Sequence, residues 1–409
     1  MGLPGGWTPR RATEVLRVAL RLGLTSFGGP VAHLGYFRVE YVERRRWLTE
    51  PAYGDTVALG QFLPGPASSQ VGIAIGVQQA GLPGGLAAWL GFTLPSALVM
   101  GVLGLGVAGG LLPGGAWVDG LKLAAVAVVA HAVWSMARTL APDLPRALLA
   151  LGAAAVALAV ATPFTQVALI LLGALAGLVL LPRLGVSPGA PPGLVDGARS
   201  AVSRRAAALA LALFATLLVG LPLAGALTGD PTVAFIEAFY RAGALVFGGG
   251  HVVLPLLEAS VVGPGWVSQD AFLAGYGAAQ ALPGPLFTFA AYLGAAAGSP
   301  APGGIAGSVL ATVAIFLPGA LLVVGALPFW QALRVRPGAR AALAGVNAVV
   351  VGILAAAFVD PVARSGIGGP ADAWVAAAGF AALLTGRVPP LAVVAGSVIA
   401  TVTLRAAGA

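Results

Sequence analysis

Cysteine is absent, and with it disulfides, thiol catalysis and cysteine metal sites. Charge is scarce: Asp, Glu, Lys and Arg make up 9% of the 409 residues, where soluble domains carry about 25%. That little polar surface cannot cover a water-soluble particle. There are three histidines, and no His/Asp/Glu group has metal-ligand spacing, so no metal is expected. The chain has no G-x-S-x-G, no H-E-x-x-H, no Walker loop and no GxGxxG on a βα unit. Neither an enzyme nor an ATP-driven pump is expected, and no cofactor. The apolar runs do not alternate with polar residues, which excludes a transmembrane barrel.

What is present is long and apolar. Hydrophobic residues make up 58% of the chain, with windows over 85–111, 117–138, 165–181, 206–227 and 304–327. The pattern predicts an all-α polytopic membrane protein in contact with a lipid bilayer. Its 60 glycines and 31 prolines suit membrane helices. Residues 1–11 read as a short cytoplasmic tail without the pattern of a removed signal peptide. The net charge of +8 points first to cytoplasmic loops and then to an anionic cargo. Basic residues are scattered without aromatic interleaving, so nucleic-acid binding is not expected.

The sequence also repeats itself. Arg21-Leu-Gly-Leu-Thr-Ser-Phe27-Gly-Gly matches Arg241-Ala-Gly-Ala-Leu-Val-Phe247-Gly-Gly, about 220 positions later. In the same order, Trp47 matches Trp266, Gln61-Phe-Leu-Pro-Gly-Pro matches Gln280-Ala-Leu-Pro-Gly-Pro, Pro83-Gly-Gly matches Pro302-Gly-Gly, and Leu94-Pro95 matches Leu317-Pro318. The expected organisation is a first repeat over 12–181, a basic linker with a connecting transmembrane helix over 182–230, and a second repeat over 231–409. The first repeat carries Arg38, Arg44, Arg45 and Arg46 after its FGG, and the second has no basic residue there. Conversely, the second carries Arg334, Arg336 and Arg340 where the first is neutral. By the positive-inside rule the two repeats are inverted in topology. The charge bias fits best if the segments 12–37, 52–80, 232–254 and 271–299 are broken, re-entrant hairpins meeting near the membrane midplane.

A break at membrane depth is tolerated where it lines a cavity, and half-helix N-termini there favour anions. The expected substrate-binding residues therefore flank the breaks: Ser26, Gly28, Gly29, Gln61, Gly65, Ser68, Ser69 and Gln70 in the first repeat, and Gly248, Gly249, Gly250, Gln280, Gly284 and Thr288 in the second. Arg21 and Arg241 precede the two FGG motifs in apolar surroundings, and a guanidinium fork suits an oxyanion. Snorkelling to the headgroups is the alternative for Arg21, and an ion pair with Glu237 one turn earlier is the alternative for Arg241. His33 and His251 could carry a coupling proton or simply be hydrogen-bonded in place. Lys122 is an auxiliary charge or an interfacial partner of Asp119. The small-residue pairs Gly72/Gly76 and Gly106/Gly110 fit a homodimer and internal packing equally well.

The stretches "LGLTSFGGPVAHLGYFRVEYVERRRWL" and "QFLPGPASSQVGIAIG", with "FGGGHVVLPLLE" and "QALPGP" in the second half, resemble the two halves of the chromate ion transporter family in its long, two-domain form. The resemblance covers nearly the whole chain. It implies secondary transport of chromate out across the bacterial inner membrane, giving chromate resistance, with sulfate as an expected competitor. A sulfate or other tetrahedral-oxyanion carrier, or a passive anion channel, is the alternative within transport. An intramembrane enzyme acting on anionic lipids would need a nucleophile and base that the chain lacks.

Overall fold

The computed structural model describes residues 9–27, 29–110, 115–160, 163–184, 202–247, 252–333 and 336–407. Apart from turns, the described residues form helices. The first half runs α1 (Pro9–Thr25), α2 (Gly29–Arg38, continuing as a π-type turn Val39–Arg44), α3 (Glu50–Phe62), α4 (Ala67–Ala108), α5 (Ala116–Leu140), α6 (Leu144–Ala159) and α7 (Pro163–Arg183). A connecting helix α8 (Arg204–Thr228) follows. The second half runs α9 (Pro231–Ala244), α10 (Val253–Val261), α11 (Gln269–Gln280), α12 (Phe289–Ala296) and α13 (Gly304–Ala326), extended by the short α14 (Trp330–Leu333). It ends with α15 (Pro337–Ala357), the short α16 (Arg364–Gly366), α17 (Pro370–Leu384) and α18 (Pro390–Ala406).

The two halves correspond element by element. α4 is interrupted at Ala80 and Gly81, whose backbone is not helical, so it consists of two arms. These match α12 and α13. Thr49 caps α3 by accepting from the Ala52 N–H, and Ser268 caps α11 in the same way from Ala271. Asp230 and Ser203 cap α9 and α8.

Among the described residues six helical segments are long and apolar enough to cross a membrane. α8 faces almost entirely outward, with Leu209, Val219, Leu223 and Leu227 exposed. Such a surface needs hydrocarbon around it, and the protein is a multi-pass membrane protein. The helices flanking the breaks, other than α4, are shorter: α1, α2, α3, α9, α10, α11 and α12 have 8 to 17 residues. At 1.5 Å per residue none reaches the roughly 30 Å of a hydrocarbon core.

Small residues let the helices approach closely. Gly23 of α1 sits against the Phe92 carbonyl of α4, and Gly243 of α9 sits against the Ile315 carbonyl of α13, its counterpart contact. Peripheral helices pack across the halves: α5 against α17 and α18 with Gly120 at Val398, and α15 against α6 and α7 with Gly345 at Gly173 and Gly177. The corresponding arms of α4 and α13 run antiparallel. Trp89 meets Phe316 at one level, and Gly101 meets Ser308 further along.

Candidate functional site

The two halves interlock at their breaks. Pro64-Gly65-Pro66 separates α3 from α4, and Pro283-Gly284-Pro285 separates α11 from α12. The prolines lack an N–H, so neither break can continue a helix ladder. Gly65 and Gly284 have φ of +123° and +96°, conformations that favour glycine. Each donates its N–H across to the other half, immediately before that half's FGG motif. Gly65 N–H bonds Val246 C=O at 2.7 Å, and Gly284 N–H bonds Ser26 C=O at 3.0 Å. Ser26 and Val246 occupy matching positions, so the two bonds are reciprocal.

Around this crossing the first half supplies a buried polar cluster. Ser26 follows α1, His33 lies on α2, and Ser68, Ser69 and Gln70 form the first turn of α4; all five are at most 3% exposed. His33 Nδ1 and Ser68 Oγ are 3.3 Å apart, and the His33 ring meets Phe92 edge-on. Gln70 Nε2 donates to Pro64 C=O at 2.8 Å and to Gly319 C=O of α13 at 3.3 Å. Two carbonyls on one side fix the amide orientation. Gln70 Oε1 is then left without a partner, as are Ser26 Oγ, His33 Nε2 and Ser69 Oγ. Nearby on α4, Thr93 Oγ1 is also unpartnered, while Ser96 Oγ donates to Thr93 C=O. Each buried polar atom left unpaired costs about 1–3 kcal/mol. Several of them lie close to one backbone crossing, which makes this cluster the candidate site.

The second half is different at the matching positions. Ser26, Ser68, Gln70 and Thr93 correspond to Val246, Phe287, Phe289 and Phe316. Only Thr288, opposite Ser69, keeps a hydroxyl, and it donates to Pro285 C=O at 2.9 Å. At these matching positions the buried residues are polar in the first half and, Thr288 apart, apolar in the second.

The remaining expected residues are placed as follows. Arg21 and Gln61 are exposed and do not join the cluster. Arg241 is tied to Glu237 (Nε to Oε1, 2.5 Å), with both side chains largely buried. This is the ion-pair alternative. Lys122 lies between Asp119 (2.9 Å) on its own helix and Asp270 (3.2 Å) at the start of α11. Gln280, at the end of α11, has a buried Nε2 without a partner. Gly29 opens α2 with φ of +79°. Gly28, Gly248, Gly249, Gly250 and His251 lie outside the described residues. Thr93, Ser96 and Trp89, whose Nε1 is buried without a partner, are additional to the residues expected from sequence. Their signal was present: the first two lie beside Leu94-Pro95, itself one of the repeated motifs. Among the described residues no three His, Cys, Asp or Glu side chains are grouped to hold a metal ion.

Long apolar helices, two helix breaks that bond across the halves and a buried polar cluster define a polytopic α-helical membrane protein. Comparison with known proteins gives the family. The chromate transporter family model matches residues 13–178 and 233–402, one match for each half, and the chain belongs to that family. It is 30% identical to a chromate transport protein of Pseudomonas aeruginosa, over 83% of this chain and 79% of that protein. It is 29% identical to a chromate transport protein of Cupriavidus metallidurans (86% and 83% covered) and to a probable chromate transport protein of Synechococcus elongatus (85% and 83%). No solved structure matches the chain. The family's members are transporters, not enzymes.

Proposed function

We propose that the protein is a secondary transporter that exports chromate across the bacterial inner membrane by alternating access, and so confers chromate resistance. The observation that carries this reading is the cluster of buried, unpartnered polar atoms on Ser26, His33, Ser69 and Gln70 beside two helix starts. Three of these groups can donate hydrogen bonds, and the α4 start adds the backbone N–H groups of Ala67, Ser68 and Ser69, with Gln70 N–H already bonded to Pro66 C=O. Neutral donors and a helix dipole hold an anion that has to leave again. Arg241 is already engaged with Glu237, and Lys122 with two aspartates, so the cluster has no fixed cation among these groups. An inside-negative potential drives a dianion outward with about 4.6 kcal/mol per 100 mV.

Inverted topology for the repeats is supported by the antiparallel packing of α4 with α13 and by the exchanged packing of the peripheral helices. Re-entrance of the breaks is supported by the shortness of the helices around them. On this reading the Arg44–Arg46 and Arg336–Arg340 loops, and the N-terminus, are cytoplasmic.

The test is flux in proteoliposomes under an imposed potential, with chromate, sulfate and molybdate in separate arms, each with and without a pH gradient. Saturable, potential-driven chromate flux is expected. Ser26→Ala and Ser69→Ala should lower it about tenfold while leaving thermal stability unchanged or higher, because the deleted hydroxyls have no protein partner to lose. No chromate flux, or unaltered flux in both variants, would overturn the proposal. Sulfate flux at equal efficiency would make the protein a general oxyanion carrier.

A further inference from the structure

The correspondence between the halves brings out a difference at their two ends. α13 continues through Leu327–Phe329 to Trp330, whose counterpart near the end of α4 is Val107. Gly101 packs on Ser308, so Val107 lies at the α13 start, while Trp330 is 22 residues beyond Ser308, about 33 Å along the helix. The two residues therefore occupy opposite ends of the same helix pair.

At one end the space is filled. Trp330 is 5% exposed and packs edge-on against Phe62, with ring centroids 5.5 Å apart. Its Nε1–H donates to Asp55 Oδ1 of α3 at 3.0 Å. Leu59, Leu63 and Val202 close the same cluster, which lies directly beyond the Pro64-Gly65-Pro66 break. Arg336 begins the next helix, so this is the Arg-rich end. At the other end the matching positions are small: Ala274, Ala278 and Ala281 stand where α3 has Asp55, Leu59 and Phe62. A cavity of about 190 Å³ opens there, lined by Leu103, Val107, Ala274, Ala278, Tyr292 and Asp270 among others. Asp270, held by Lys122, marks its polar mouth.

We infer that Trp330 is the gating residue of the Arg-rich face. Seated on Phe62 and Asp55, it closes the route from that face to the polar cluster, while the α11 face keeps an open vestibule. Passage to the Arg-rich side requires the indole to leave Asp55. The inference deepens the transport reading, and its readout does not depend on which anion is carried.

The absence of native cysteine makes single-cysteine labelling clean. Leu59→Cys and Ala278→Cys would be treated with a membrane-impermeant charged methanethiosulfonate from each face of oriented vesicles. Ala278→Cys is expected to react from the α11 face, and Leu59→Cys to stay unreactive from the Arg-rich face. Adding Trp330→Val, which installs the residue found at the counterpart position 107, should raise Leu59→Cys labelling at least about tenfold. The reverse variant Val107→Trp should fill the vestibule and slow Ala278→Cys labelling by a similar factor. If Trp330→Val does not fold, Trp330→Phe keeps an aromatic ring against Phe62 but loses the pyrrole ring and its N–H bond to Asp55, and should raise labelling several-fold. Equal Leu59→Cys labelling with and without the indole, or unchanged Ala278→Cys labelling in Val107→Trp, overturns the gate. A labelling pattern as expected with no chromate flux would instead overturn the substrate and keep the gate.

Discussion

Replacing Gly284 with alanine tests the interlock of the two halves. At a φ of +96° an alanine is strained by about 1–3 kcal/mol. Its Cβ would also lie 2.7 Å from Ser96 Oγ and 3.3 Å from the Phe92 carbonyl oxygen, so the loop has to shift. A shift endangers the 3.0 Å bond to Ser26 C=O, worth about 0.5–1.5 kcal/mol. The total loss is about 2–4 kcal/mol, which on the scale of larger domains lowers the melting temperature by roughly 5–15 °C. Gly65→Ala should do nearly the same. Its Cβ would meet Gln70 Nε2 at 3.0 Å and the Gly319 Cα at 3.2 Å, and its bond to Val246 C=O is equally exposed to loss. Two controls grade the effect. Gly29→Ala has positive φ but nothing within 4 Å of the new Cβ, so it should show strain alone, and Gly35→Ala, with open space and ordinary helical φ, should be neutral or slightly stabilising. The assay is thermal unfolding in detergent followed by tryptophan fluorescence and size-exclusion recovery. Melting of Gly284→Ala within about 1 °C of Gly35→Ala would refute the reasoning from backbone strain and cross-half bonding.

Other perturbations separate structure from transport. Gln70→Ala removes two buried donors from the Pro64 and Gly319 carbonyls and should lower stability by about 2–4 kcal/mol, measured in the same unfolding assay. Arg241→Ala leaves Glu237 largely buried without its partner, so Arg241→Ala/Glu237→Gln should recover much of the lost stability, and flux in the double variant then reports whether Arg241 does more than pair. At the α6 start, Asp143 caps the helix and pairs with Arg146, which holds its carboxyl below the usual range. That contribution is present above the unfolded carboxyl pKa and fades as pH falls through the lower folded value. Asp143→Ala should therefore cost about 1 kcal/mol at neutral pH and progressively less in acid.

Much of this architecture is legible along the chain. The Phe-Gly-Gly and Pro-Gly-Pro motifs mark the helix breaks because glycine and proline act locally, and the expected end of a segment at residue 80 coincides with the non-helical Ala80–Gly81. Which half carries the buried polar side chains is also readable, since Ser68-Ser69-Gln70 stands opposite Phe287-Thr288-Phe289 in the alignment of the repeats. What could not be read is the direction of a side chain on its helix. Arg21 has apolar neighbours in sequence, yet α1 buries Val15, Val18, Ala19 and Leu22 against α4 and leaves Arg21 on the outer face. The reciprocal glycine bonds were hidden for a different reason. They join backbone atoms about 180–260 positions apart, and backbone atoms carry no residue-type signal.

Those two bonds also bear on how many anions the molecule handles at once. As backbone bonds they are blind to side chains, and two copies of either half could form them equally well. A symmetric pair of first halves would present two identical polar linings about one axis. Here Val246, Phe287, Phe289 and Phe316 stand at the matching positions, all apolar and buried, so only the first half offers a polar cluster at this level. On the transport reading, each cycle then moves a single anion, and occupancy measured by titration should saturate at one per chain.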